Sequence, residues 1–119
     1  MQVFRTIPEQ ATVPSVLAIG NFDGVHLGHR ALLKRLTTKA RALGLPASLM
    51  TFEPHPRELF IPDQAPARLT SLREKLALLE ACGVDRTYVC HFSRRLAGLG
   101  ADEFVERILV QGLAVRHLI

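Results

Sequence analysis

The run from Ser15 to Ile19, SVLAI, ends abruptly at Gly20 and is followed by apolar residues at helical spacing, Leu32, Leu33, Leu36, Ala40 and Leu43. A short apolar run bounded by a glycine suits a buried strand, whereas recurrence at threes and fours marks one face of a helix. Gly44 and then Pro46 close that helix, which the pattern places over roughly His29 to Leu43. The chain thus begins as strand, glycine-rich connection, helix.

The same alternation continues. Ala47 to Phe52 is a second apolar run, and the proline-rich segment from Pro54 to Pro66 cannot prolong it as an interior strand. Ser71 and Glu74 have capping-box spacing ahead of Leu72, Leu76 and Leu79, with Gly83 at the expected C-terminal cap. Arg86 to Cys90 is β-branched and aromatic, as a strand requires. Phe104, Val105, Ile108 and Leu109 form a third helical stripe before Gly112, and His117 to Ile119 open another apolar run, so the chain is expected to stop inside a strand. Strands alternating with helices need crossover connections, which build a parallel sheet with helices on both faces. The expected fold is α/β and Rossmann-like, in a single domain over residues 1–119 whose sheet is truncated at its C-terminal end.

Composition narrows the function classes. The chain has 48% hydrophobic and 22% charged residues and a formal charge of +4, the balance of an ordinary folded domain. Its lysines and arginines are dispersed rather than clustered, which favours small phosphorylated ligands over nucleic acid as partners. No apolar stretch approaches the ~20 residues of a membrane span, and residues 1–10 lack a secretory apolar segment, so a cytoplasmic location is expected. Cys82 and Cys90 match neither a redox nor a zinc spacing and are read, with His91 and His117, as structural residues. Arg94 and Arg95 are read as a solvated face.

Gly20, Asn21, Phe22, Asp23, Gly24, Val25, His26, Leu27, Gly28 and His29 join the first strand to the first helix. Free backbone N–H groups and the helix dipole favour an anion there. Gly20 and Gly24 permit positive φ and close backbone approach. His26 and His29 share a helix face, so both imidazoles can reach one phosphate, and Gly28 clears space for a base or sugar. Taken alone, the two histidines are equally compatible with an exposed helix start or with metal ligation. Thr51 to Pro56, TFEPHP, leaves the second strand at the same sheet edge, and Phe52 offers an aromatic face beside the stiff Pro54, His55, Pro56 segment. A Pro-His-Pro segment by itself is also what a rigid surface turn looks like.

GNFDGVHLGHR resembles the signature of the FMN adenylyltransferase module of bacterial bifunctional riboflavin kinase/FAD synthetases. HxGH alone marks a wider superfamily that includes other nucleotidylyltransferases and class I aminoacyl-tRNA synthetases. The added FDG, the TFEPHP segment, RLTSLREKLALLEACGVD and FSRRLAGLGADEFVERIL extend the resemblance over essentially the whole chain.

The resemblance implies transfer of AMP from ATP to FMN, giving FAD and pyrophosphate, with Mg²⁺ carried on the ATP phosphates and no metal held by protein residues. It implies catalytic roles for His26 and His29, nucleotide contacts from Gly20, Asn21, Phe22, Asp23, Gly24, His26, Gly28 and His29, and flavin contacts from Phe52, Pro54, His55 and Pro56. The family pattern continues into GxDFxFG and ISSTxIR segments and a riboflavin kinase β-barrel, none of which this sequence contains. The chain alone is therefore expected to be weakly active or inactive, and its open sheet edge offers a route to self-association. A different phosphate acceptor, or nucleotide binding without catalysis, are the alternatives.

Overall fold

Five strands lie side by side in one all-parallel sheet in the order β1-β4-β3-β2-β5. The computed structural model describes residues 1–8, 13–22, 27–53, 71–91 and 98–119. The strands are β1 (Gln2–Phe4), β2 (Ser15–Ile19), β3 (Ala47–Glu53), β4 (Arg86–His91) and β5 (Val115–Leu118). Helix α1 (Leu27–Leu43) joins β2 to β3, and α2 (Leu72–Ala81) lies between β3 and β4. A third helical run between β4 and β5 opens as α3 (Ala101–Glu103) and continues with π-helical hydrogen bonding over Phe104–Gly112.

Alternation along the strands divides the core between the two faces. In β2, Val16 and Ala18 pack with Leu33, Leu36 and Ala40 of α1 and Leu79 of α2. Leu17, between them, faces the opposite side with Met50, Tyr88, Leu109 and Leu113. A period of two in the strands meets a period near four in the helices, so each face is covered by helix, as expected from the order of elements. The carboxylate of Asp85 aligns the starts of β3 and β4 by accepting the Ala47 N–H at 2.9 Å, while its own N–H donates to the Ala47 carbonyl at 2.9 Å.

Several boundaries differ from the sequence reading. Helix α1 starts at Leu27 rather than His29, and β5 starts at Val115 rather than His117. Strand β1 has no sequence signature: Gln2, Val3 and Phe4 form a strand by pairing with Arg86, Thr87 and Tyr88, and the Phe4 ring stacks on Tyr88 at 5.0 Å. The third helical stripe is present but wider than an α-helix, and Gln111 donates to Glu106 five residues earlier at 3.2 Å, the spacing that a π-helical turn places on one face.

The strand order also locates a site. From β2 the chain steps outward through β3 to β4, then returns to place β5 on the other side of β2. The order therefore reverses between β2 and β5, and ligands of open α/β sheets bind beyond the carboxyl ends of the strands at such a reversal. The glycine-rich stretch emerges from β2 at that place. Among the described residues no helix is long and apolar enough to cross a membrane.

Candidate functional site

Gly20 leaves β2 with its N–H bonded to the Met50 carbonyl of β3 at 3.0 Å, so the turn starts tethered to its neighbour. Of the two glycines expected to permit positive φ, Gly20 does not adopt it and Gly24 lies outside the described residues; between them Phe22 is left-handed, at φ +54. An aromatic residue in this region is uncommon and costs about 1–3 kcal/mol of strain. Burial of its ring, 2% exposed and packed with Leu33 and Leu36, offsets that strain. What Gly20 supplies is room, since a Cβ there would stand 2.7 Å from the Phe22 ring.

The Phe22 ring also meets His29 in the first turn of α1, with centroids 4.9 Å apart and planes tilted by 49°. His29 is half-buried, and Gly28 beside it is exposed. The turn and the helix start are thus packed as one unit. The side-chain oxygen of Asn21 is buried and has no hydrogen-bond partner among the described residues, leaving an acceptor within the turn. Asp23, Gly24 and His26 lie outside the described residues, as do Pro54, His55 and Pro56.

Phe52 and the glycine-rich turn share the carboxyl edge of the sheet but not the same face. Thr51 points to the α1 side, where its hydroxyl donates to the Asn21 carbonyl at 3.2 Å. Phe52, next along the strand, packs with Tyr88, Leu109 and Phe104 on the other side. There it lines a cavity of about 150 Å³ with Arg5, Ile7, Met50, Cys90, His91, Phe104 and Ile108. The lining is apolar and aromatic, with one guanidinium and one imidazole, a surface suited to the edge of a flat heteroaromatic ring. Burial pushes the Cys90 thiol up to about 11. It is therefore a neutral packing group at neutral pH, as its sequence context suggested, and Cys82 is likewise a free cysteine against the core.

Lys75 was not singled out from the sequence. It occupies the first turn of α2, is 5% exposed, and donates from Nζ to the Asn21 carbonyl at 2.8 Å and to Thr51 Oγ1 at 3.1 Å. The available signal was its phase: Lys75 precedes the buried Leu79 by four residues and so lies on the inward stripe, where a lysine is out of place unless it is bound. Among the described residues, no three His, Cys, Asp or Glu side chains stand together as a metal site.

The FAD synthetase family model matches residues 8–119. A bifunctional riboflavin kinase/FMN adenylyltransferase of Escherichia coli K12 is 50% identical over 121 residues, covering 99% of this chain and 39% of that protein. The protein of the same description from Pseudomonas fluorescens is 53% identical over 103 residues, covering 87% of this chain and 33% of its own length. The chain thus spans about two fifths or less of the curated relatives it matches. A solved structure described as a macrolide-efflux protein from Streptococcus pneumoniae superposes with a TM-score of 0.83 over 100% of this chain and 40% of its own, at 24% identity, a likeness that bears on the fold alone. With a family model matching nearly the whole chain and relatives at half identity, this chain belongs to the FAD synthetase family.

Proposed function

We propose that the protein carrying this chain transfers AMP from ATP to FMN. An oxygen of the FMN phosphate bonds to the α-phosphorus of ATP, the bond from that phosphorus to the bridging oxygen breaks, and pyrophosphate leaves. The observation that carries the reading is the placement of His29, in the first turn of α1 and packed on Phe22, at the reversal of strand order where the turn from Gly20 opens.

Each part has a task. Backbone N–H groups at the start of α1, with the helix dipole behind them, favour the phosphates of ATP. His29 donates a hydrogen bond to the α-phosphate as charge builds there, and His26 orients the phosphate chain, which is the electrostatic and positioning work that phosphoryl chemistry requires. Gly20, Asn21, Phe22, Asp23, Gly24 and Gly28 shape the nucleotide site. Phe52, with Pro54, His55 and Pro56, places the flavin ring, whose apolar edge suits the cavity beside Phe52. Mg²⁺ arrives with ATP as part of the substrate.

The test is pyrophosphate release by the full-length protein supplied with MgATP and a panel of acceptors. Release dependent on FMN is the expected result, whereas release only with phosphocholine or phosphopantetheine would replace the flavin assignment with another acceptor. Nucleotide binding without release under any condition would reduce the site to a binding module.

A further inference from the structure

The ammonium of Lys75 reaches the turn after β2 from α2, an element outside the glycine-rich stretch. It sits at the N-terminal turn of α2, where the helix dipole is already positive, and it is nearly fully buried. Both circumstances disfavour a cation, so its place must be stabilised by what it holds. Its two described acceptors belong to different elements: the Asn21 carbonyl at 2.8 Å, in the turn after β2, and Thr51 Oγ1 at 3.1 Å, near the end of β3. Thr51 in turn donates to the same Asn21 carbonyl at 3.2 Å, closing a triangle of three hydrogen bonds.

The consequence runs along the backbone. The Asn21 carbonyl and the Phe22 N–H belong to one planar peptide, so fixing the carbonyl fixes that plane. The orientation of the plane relative to the Phe22 Cα is what φ measures, and φ here is +54, a value the residue would not hold unaided. The same φ directs the Phe22 ring under His29. In a trans peptide the Phe22 N–H points opposite to the carbonyl, away from Lys75.

We propose that Lys75 is a positioning residue: by holding the Asn21 carbonyl it locks Phe22 in its left-handed conformation and thereby sets the place of the His29 imidazole for adenylyl transfer. The proposal rests on the function assigned above, and two readouts keep its failure separate from a failure of that assignment.

The first readout is turnover in the full-length protein. Lys75→Met keeps the bulk and removes the charge and donors. It should lower kcat by about tenfold or more while the KM for FMN stays within about twofold. Lys75→Arg, which retains a buried cation and donors, should recover most of the loss. In a His29→Ala background Lys75→Met should lower kcat by less than about threefold, because the group it positions is gone. A full additional loss in that background, or a kcat for Lys75→Met within about twofold of wild type, would overturn the proposal.

The second readout is independent of turnover. The His29 ring protons lie against the Phe22 ring, and their NMR shifts should move in Lys75→Met and return in Lys75→Arg. Unchanged shifts overturn the positioning role even if the protein proves to use another acceptor. Should Lys75→Met fail to fold, Thr51→Val removes one side of the triangle. It should shift the same resonances and lower kcat by about two- to fivefold, and no change in either would overturn the proposal.

Discussion

The Phe22 ring lies 4.9 Å from the His29 ring while the Phe22 backbone sits at φ +54, so one strained residue links the turn after β2 to the first turn of α1. Replacing Phe22 by Ala removes a fully buried ring and the platform for His29. We expect a loss of about 3 kcal/mol or more by urea unfolding. Under conditions where the variant is folded, pyrophosphate release should fall about tenfold or more.

His29→Ala separates chemistry from packing. If His29 acts as proposed, its loss should lower kcat of the full-length protein by about 10²–10³. Loss of the contact with Phe22 should lower stability by only about 1 kcal/mol. Paired kinetic and thermal-melt measurements check this, and a stability loss large enough to explain the kinetic one would remove the catalytic assignment.

Two glycines should behave differently. A methyl at Gly20 stands 2.7 Å from the Phe22 ring, so Gly20→Ala must displace the ring and should cost about 1–3 kcal/mol along with activity. Gly44 has φ +67 but nothing within 4 Å of a new Cβ. Gly44→Ala therefore meets only backbone strain, about 1–2 kcal/mol, and pyrophosphate release by the folded full-length protein should be unchanged.

The N-terminus of α2 depends on a reciprocal pair: Ser71 Oγ accepts the Glu74 N–H at 3.2 Å, and Glu74 accepts the Ser71 N–H at 3.4 Å. Ser71→Ala should lower stability by about 1 kcal/mol in thermal unfolding. Lys75 follows directly in this turn, so pyrophosphate release should decline as well.

Cys90 supplies a pH-dependent term. Its thiol has a folded value of about 11 against an ordinary 9.0, because burial disfavours the thiolate. The folded state therefore binds this proton more tightly than the unfolded state does. Its contribution is fully present below pH 9.0 and is lost as pH rises through about 11. Cys90→Ala should flatten that alkaline part of the stability profile. A thiol reagent at pH 8 should modify the half-buried Cys82 first and Cys90 only on unfolding.

The alternation of SVLAI, the α1 stripe and the next apolar run was legible because strands of period two and helices of period near four are local patterns, each written within a few consecutive residues. The same holds for the Ser71 and Glu74 cap, whose partners are three residues apart. Strand β1 left no such mark. Three residues with an exposed start become a strand only when β4 presents its edge.

The candidate site divides the same way. GNFDGVHLGH by itself marked the connection from the end of β2 to the start of α1, and it carried both histidines. It did not reveal that Phe22 takes a left-handed backbone, that Phe52 faces away from Thr51 onto the α3 side, or that Lys75 comes from 54 positions beyond Asn21 to hold the turn. Local sequence determined four of the five strands and the helices between them, since backbone preference and hydrophobic period act over neighbouring residues. Which side chains meet at the carboxyl edge of the sheet was decided by strand order and packing, because a buried ammonium, a strained φ and a ring contact are stable only when distant elements supply their partners together.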